Sequence, residues 1–262
     1  MNPHYVKNAQ EYQFLLNNAS EIHRQNLGEK YYHLDQSLGI KNYIRIANDI
    51  AQRLAAGSQV LDWGCGLGQM SYLLKNRGFD VVSYDVTADG DRLPDISLCR
   101  NINRITSSEP TMLPFKEASF DAVLSCGVLE HVDEMSSLGN EVKSLKEINR
   151  VLKPSGKLLI YQLPQSMSWQ ESIVRRFKLG YAHPRRYSAQ EITSLLNEQS
   201  FSVVHLSRFN LIPKNLTGMP KFLRVTWGKL GSLVLIADKV LSQIPLLNRF
   251  AGVLEVTGQK TS

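Results

Sequence analysis

Apolar residues recur along this chain with two different periods. Between Asn42 and Ala55, Ile44, Ile46, Ala47, Ile50, Ala51 and Leu54 form one helical stripe, which Gly57 stops. A shorter helix is expected over Glu11–Asn18, so residues 1–56 read as a helical prelude. From residue 58 the pattern alternates: strand 59–62, helix 68–77, strands 80–84, 102–106 and 121–125, helix 137–152 and strand 157–162. Such alternation predicts a mainly parallel sheet covered by helices on both faces. Residues 164–187 read as a long connection. Ser188-Ala189-Gln190-Glu191 then has the spacing of a capping box, with Ser188 as cap and Glu191 as its reciprocal partner, opening a helix to Glu198. Phe201–Leu206 reads as a sixth strand and Leu254–Gln259 as a seventh. The stretch between those two is longer than a hairpin loop.

At 262 residues, 43% hydrophobic and 21% charged, the chain is expected to be one α/β domain with additions, not a disordered segment. Its cysteines, Cys65, Cys99 and Cys126, are too few and too scattered for a disulfide framework or a metal knot. Residues 1–7 lack an apolar signal core, and no uncharged apolar run reaches the roughly 18 residues of a membrane span. The expectation is a reduced, cytoplasmic protein with no spanning helix.

The net charge of +6 at first suggests nucleic acid. Its location argues otherwise. Between Pro213 and Phe250, Lys214, Lys221, Arg224, Lys229, Lys239 and Arg249 stand against one acid, Asp238. Residues 220–250 also carry Trp227 and many large aliphatic side chains, without the interleaved aromatic platforms on which single strands stack. Nucleic acid is therefore not expected as a partner. Two readings of the segment stand side by side. It is an amphipathic element in peripheral contact with an anionic membrane, or it packs on the chain's own sheet or a second copy. An apolar acceptor pocket walled by these helices fits both.

The sharpest local pattern is Val60-Leu61-Asp62-Trp63-Gly64-Cys65-Gly66-Leu67-Gly68. An apolar run ends in an acid, and glycine then takes every second position, so the backbone can turn sharply and a ligand can lie against main-chain atoms. A dinucleotide fingerprint would need glycine at position 69, where this chain has Gln69. The acid suits instead a nucleoside with a cationic amino-acid tail. Gly78-Phe79-Asp80-Val81-Val82-Ser83-Tyr84-Asp85 ends in a second acid, where doubly wound sheets meet ribose hydroxyls. Two further blocks follow, Glu109 through Leu113-Pro114-Phe115 to Ser119-Phe120-Asp121, and Glu147 through Lys153-Pro154-Ser155-Gly156 to Ile160.

In this order and spacing, over about residues 55–205, the four blocks resemble the class I S-adenosylmethionine-dependent methyltransferases, in their small-molecule, quinone-type branch. The resemblance implies a doubly wound, mainly parallel seven-stranded α/β sheet, Rossmann-like, with S-adenosylmethionine as cofactor. It implies that Asp62, Gly64, Cys65, Gly66 and Gly68 line the methionine end and that Asp85, with Val86, meets the ribose. Glu109 and Met112 would flank the adenine, and Ser125 would line the same crevice. Trp63 departs from the family's usual small or aliphatic residue and is expected to pack under the loop.

Methyl transfer asks the protein mainly for alignment and exclusion of water. A hydroxyl acceptor also benefits from a base, and imidazole suits that role near neutral pH. Gly127-Val128-Leu129-Glu130-His131 follows the fourth strand, which makes Glu130 and His131 the catalytic candidates. His131 either bonds within its own turn or faces the acceptor. A similar segment in one quinone-forming branch holds a metal through Glu-x-x-Glu-His, but the first of those positions here is Gly127, so no metal is expected. His183, Arg186 and Tyr187 are the substrate-side candidates, in a stretch that either binds an anionic group or is a solvated turn. His33, beside Tyr31 and Tyr32, reaches the site only if the prelude folds over it.

The expected organisation is an N-terminal helical lid over 1–56, a methyltransferase core over 57–212, a basic apolar helical insertion over 213–250 and a last strand with tail over 251–262. The expected activity is transfer of a methyl group to a small-molecule or lipid-linked acceptor, preferentially at oxygen. A nicotinamide-dependent oxidoreductase is the alternative from another class, but it lacks a third glycine near position 69 and an evident proton relay. A cofactor-binding module without turnover is the other alternative.

Overall fold

Every second residue of a strand faces the same side of its sheet, and Gln59–Trp63 (β1) uses both sides. Val60 packs into one apolar cluster and Leu61 and Trp63 into a second, leaving only Gln59 at the surface. Trp63 is thus a core residue under the loop, as its sequence context predicts. Asp80–Val86 (β2) and Arg104–Ser107 (β3) lie on one side of β1; Phe120–Cys126 (β4) and Leu152–Pro164 (β5) lie on the other. All are parallel. Val253–Lys260 (β7) inserts between β5 and Phe201–Phe209 (β6), antiparallel to both. The seven strands run β3-β2-β1-β4-β5-β7-β6 in a computed structural model that describes residues 3–25, 37–86, 93–109, 111–134, 139–214, 226–227 and 229–261.

Pro3–Arg24 (α1), Ser37–Arg53 (α2), Gln69–Asn76 (α3) and Ser97–Arg100 (α4) lie over the cluster that holds Val60, Ala122, Leu124 and Leu159. Asn140–Val151 (α5) and Ala189–Glu198 (α7) cover the opposite cluster through Leu145, Ile148, Ile192 and Leu196. Each such side chain, taken wholly out of water, contributes roughly 1.5–3 kcal/mol. Trp169–Phe177 (α6) and Gly231–Leu241 (α8) are peripheral, and α6 buries none of its side chains.

The main departures from the sequence reading are at helices. α1 spans 22 residues, well beyond Glu11–Asn18. Its inner face is partly polar: Glu11 is buried against Arg77 at 2.8 Å, and Asn18 accepts from the Leu98 backbone N–H at 2.7 Å. Apolar periodicity alone therefore under-reads it. Phe14 stacks on Tyr72 with ring centroids 4.3 Å apart, so α1 runs antiparallel to α3 and its end approaches the carboxyl edge of the sheet. α2 starts at Ser37, because Leu38 and Ile40 extend its buried stripe. α6 lies within the expected connection 164–187. Ser168 accepts from the Glu171 N–H at 3.2 Å, so its Ser-x-x-Glu start was legible by the same rule as Ser188. At α7 the capping box forms as predicted, with both reciprocal bonds. The expected start of α5 at 137, together with Tyr31, Tyr32 and His33, lies outside the described residues.

Candidate functional site

The sheet order reverses between β1 and β4, and ligands of doubly wound sheets bind at the carboxyl ends of strands flanking such a reversal. The glycine loop leaves β1 there. Gly64 and Gly68 both have positive φ, at 72° and 90°. A Cβ on Gly64 would lie 2.5 Å from Val128, and one on Gly68 would lie 1.9 Å from Ile102, so both are held tight by neighbouring segments. Gly66, also at positive φ, has nothing within 4 Å of where a Cβ would stand. Its open side is the face a ligand would occupy.

Asp85, at the end of β2, accepts from the Gly66 N–H at 2.7 Å and from the Val86 N–H at 2.8 Å. Arg104 approaches the same carboxylate at 3.4 Å and donates to the Gly66 carbonyl at 2.9 Å. The sequence reading missed Arg104. Its only signal is the parallel β2–β3 register, which a sequence does not display. Asp62 is buried, and Ser71 donates to it at 2.6 Å. Burial, offset by the Ser71 bond and reinforced by the charge of Asp85, pushes its carboxyl up to about 6. Burial likewise pushes the Cys65 thiol up, with Asp62 and Asp85 adding to it. The three cysteines are unpaired.

Ser125, in register with Trp63, is buried, and its hydroxyl has no hydrogen-bond partner among the described residues. Glu109 is exposed, and its carbonyl accepts from Tyr84 at 3.3 Å. Met112 is also exposed and lies beyond it. An open glycine face, two acids and an orphaned buried hydroxyl suit a polar nucleoside bearing a cationic tail. These residues therefore fit S-adenosylmethionine.

On the other side of β4, Leu129–His131 forms a single 3-10 turn. Glu130 is buried, and one of its carboxylate oxygens is unpartnered among the described residues. Burial pushes its carboxyl up to about 7, while its own N–H and the charges of His131 and His183 pull the other way. His131 Nε2 lies 3.9 Å from Glu130 Oε1, and its Nδ1 lies 3.1 Å from Glu134. One nitrogen of His131 thus ties the turn through Glu134, and the other lies toward Glu130.

The His183 ring lies tilted beside it, centroids 5.5 Å apart, and Tyr181 meets His183 edge-on. Glu171 of α6 holds both the His183 ring, at 2.8 Å, and its backbone N–H, at 3.2 Å. Burial works against the charge of Glu171, but the two bonds and the charge of His183, with the charge of Arg186, together outweigh it and keep that carboxyl low. No spacing rule joins 131 to 183. The two substrate-side candidates next to His183 have partners of their own. Tyr187 is fully buried in the core, its hydroxyl bonded to Glu141 and Arg185 stacked on its ring. Arg186 donates to the Ser166 carbonyl at 3.3 Å.

The region from 61 to 160, which spans β1 to β5, matches a protein family described as a methyltransferase domain. The chain is 35% identical over 123 residues to an uncharacterized protein of Methanocaldococcus jannaschii, covering 46% of this chain and 47% of that one. It is 34% identical over 110 residues to a probable tRNA methyltransferase 9B of Mus musculus, covering 40% and 22%. It is 27% identical over 187 residues to an O-methyltransferase of Aspergillus sclerotiorum, covering 68% and 67%. The chain thus spans half or less of the length of the first two relatives. Among solved structures, it superposes with a TM-score of 0.55 on a Burkholderia thailandensis N1-methyltransferase bound to 1,6-didemethyltoxoflavin and S-adenosylhomocysteine, at 18% identity, covering 93% and 89%. That likeness shows a shared fold.

Proposed function

We propose, for a chain whose residues 61–160 belong to the class I S-adenosylmethionine-dependent methyltransferases, that it methylates a small-molecule or lipid-linked acceptor at oxygen. The observation that carries this reading is the pairing of two half-sites across β4. An open glycine face with Asp62 and Asp85 lies on one side, and Glu130, His131 and His183 lie on the other. Val128 joins the two, since it packs directly against Gly64.

In this reading Asp62 and Ser125 hold the amino-acid end of S-adenosylmethionine, Gly66 offers its bare backbone, and Asp85 receives the ribose hydroxyls. The cofactor supplies a methyl carbon on a sulfonium: that carbon–sulfur bond breaks with its electron pair going to sulfur as the acceptor oxygen bonds to carbon. The chain's own residues align the acceptor and deal with its proton. Glu130, His131 and His183 are the groups placed to do so. An oxygen acceptor is favoured because methylating a hydroxyl calls for help with its proton, and three titratable side chains are gathered there.

A lipid-linked acceptor draws support from α8. Its inner face is fastened: Asp238 accepts from the Asn210 and Ile212 N–H groups at 2.9 Å each, and Lys41 donates to Ser232 at 3.3 Å. Its outer face leaves Leu233, Ile236 and Val240 more than half exposed in a segment rich in basic residues. No described helix is long and apolar enough to cross a membrane, so the contact proposed is peripheral.

The test is transfer of labelled methyl from S-adenosylmethionine into a cell extract, followed by separation into organic, aqueous and acid-precipitable RNA fractions. Label in the organic or aqueous small-molecule fraction supports the reading. Label confined to RNA would overturn it, in line with the tRNA methyltransferase relative. No transfer alongside measurable cofactor binding would leave a binding module.

A further inference from the structure

We infer that Glu130, His131 and His183 form a binding site for one divalent first-row transition-metal ion, facing the acceptor side of the crevice. Each residue offers one ligand atom, and these atoms lie within 4.8 Å of one another. Donors sharing a zinc-sized ion at about 2.0–2.2 Å stand roughly 3–3.5 Å apart. The observed spread therefore closes with small side-chain rotations, and His131 Nε2 already lies 3.9 Å from Glu130 Oε1.

Two features independent of that distance point the same way. The first is the unpartnered oxygen of the buried Glu130, an arrangement that costs free energy unless something binds it. The second is the support behind each imidazole. His131 Nδ1 is held by Glu134 and His183 Nδ1 by Glu171, so Nε2 of each ring is the nitrogen left to ligate. A carboxylate behind each ligating histidine is the usual means of setting its tautomer and orientation around a metal. Tyr181 donates to Glu134 at 3.1 Å, bracing one of these supports.

The donor set, two imidazoles and a carboxylate, selects borderline ions such as Zn²⁺, Fe²⁺ or Co²⁺ over Ca²⁺ and Mg²⁺. Three protein donors leave a coordination position open. The expectation of no metal, drawn from Gly127, considered one segment only. The third donor comes instead from position 183, on the connection between β5 and α7, where α6 presents Glu171 to hold it. The use of the ion rests on the proposed function and refines it: with the three side chains bound to the ion they act on the acceptor's proton through it, as a Lewis acid would lower the pKa of an acceptor hydroxyl, whose proton would leave to solvent before the oxygen attacks. Binding of the ion does not depend on that reading.

The experiment is therefore done without cofactor or acceptor. The full chain, stripped by chelation, is titrated with Co²⁺ and Zn²⁺ by visible absorption and calorimetry. One equivalent should bind with micromolar or tighter affinity, with a cobalt spectrum free of thiolate charge transfer. Glu130→Gln and His183→Ala should each weaken binding at least tenfold, and Glu171→Gln should weaken it by about tenfold or more. Circular dichroism reports whether each variant is folded, and Glu130→Gln removes only a buried charge. Absence of saturable binding to the wild type, unchanged affinity in folded variants, or a thiolate spectrum would each overturn the site. Metal binding without methyl transfer would instead count against the proposed function alone.

Discussion

Asp85 already has three donors around it before any ligand arrives: two backbone N–H groups and Arg104. A carboxylate has about four lone-pair sites, so one is left for a ribose hydroxyl, and a second hydroxyl would have to displace the 3.4 Å contact to Arg104. Asp85→Ala should weaken S-adenosylmethionine binding more than tenfold in a calorimetric titration, about 1.4 kcal/mol or more. Unchanged affinity would remove Asp85 from the ribose. Asp62 makes a pH prediction. Its folded carboxyl is raised from the ordinary 3.8 to about 6. The stability this contributes is present at low pH and is lost as pH rises through about 6. Relative to Asp62→Asn, the wild type should lose about 3 kcal/mol of unfolding free energy between about pH 4 and pH 7, read from urea titrations. Cofactor affinity should rise over the same interval, as the ionised carboxylate meets an ammonium group.

Elements are placed here by their ends and by polar contacts on their inner faces. α7 begins in a complete capping box, so Ser188→Ala should cost about 1 kcal/mol, visible as a lowered denaturation midpoint with an unchanged slope. α1 carries a buried ion pair, Glu11 with Arg77, in which Arg77 also donates to Asn48 at 2.7 Å. Glu11→Ala leaves the guanidinium without its counter-charge, and the expected loss is about 3–5 kcal/mol. A loss below about 1 kcal/mol would mean that α1 opens without disturbing the core. These two helices also show what local reading finds and what it misses. Ser188-x-x-Glu191 and Ser168-x-x-Glu171 carry the same start signal, and behind the second Trp169, Ile173 and Phe177 stand at helical spacing, so α6 was legible although that apolar stripe stays exposed. The buried polar face of α1 hides it from an apolar count.

At the scale of the whole molecule, α8 turns a charge imbalance into a surface. With its inner face held to α2 and the end of β6, its outer aliphatic residues share an exposed segment with Lys229 and Lys239, while Lys214 is buried beside Asp238. Replacing Leu233 and Ile236 together by Glu should lower sedimentation with phosphatidylserine-containing vesicles at least tenfold while leaving the melting temperature unchanged. Equal sedimentation would make that face an ordinary surface or a contact between copies. The glycine loop, both acids, Ser125 and the mainly parallel sheet were legible from the sequence, because they depend on short spacings and on strands that need apolar residues on both faces. The sequence alone thus determined the alternation of strands and helices and which residues follow the carboxyl ends of β1 and β2. Only the tertiary structure decided that Arg104 stands beside Asp85, that Tyr187 belongs to the core, and that His183 meets Glu130 and His131. Those residues are far apart in the chain, and their approach is set by strand register and by the packing of α6, neither of which any local pattern encodes.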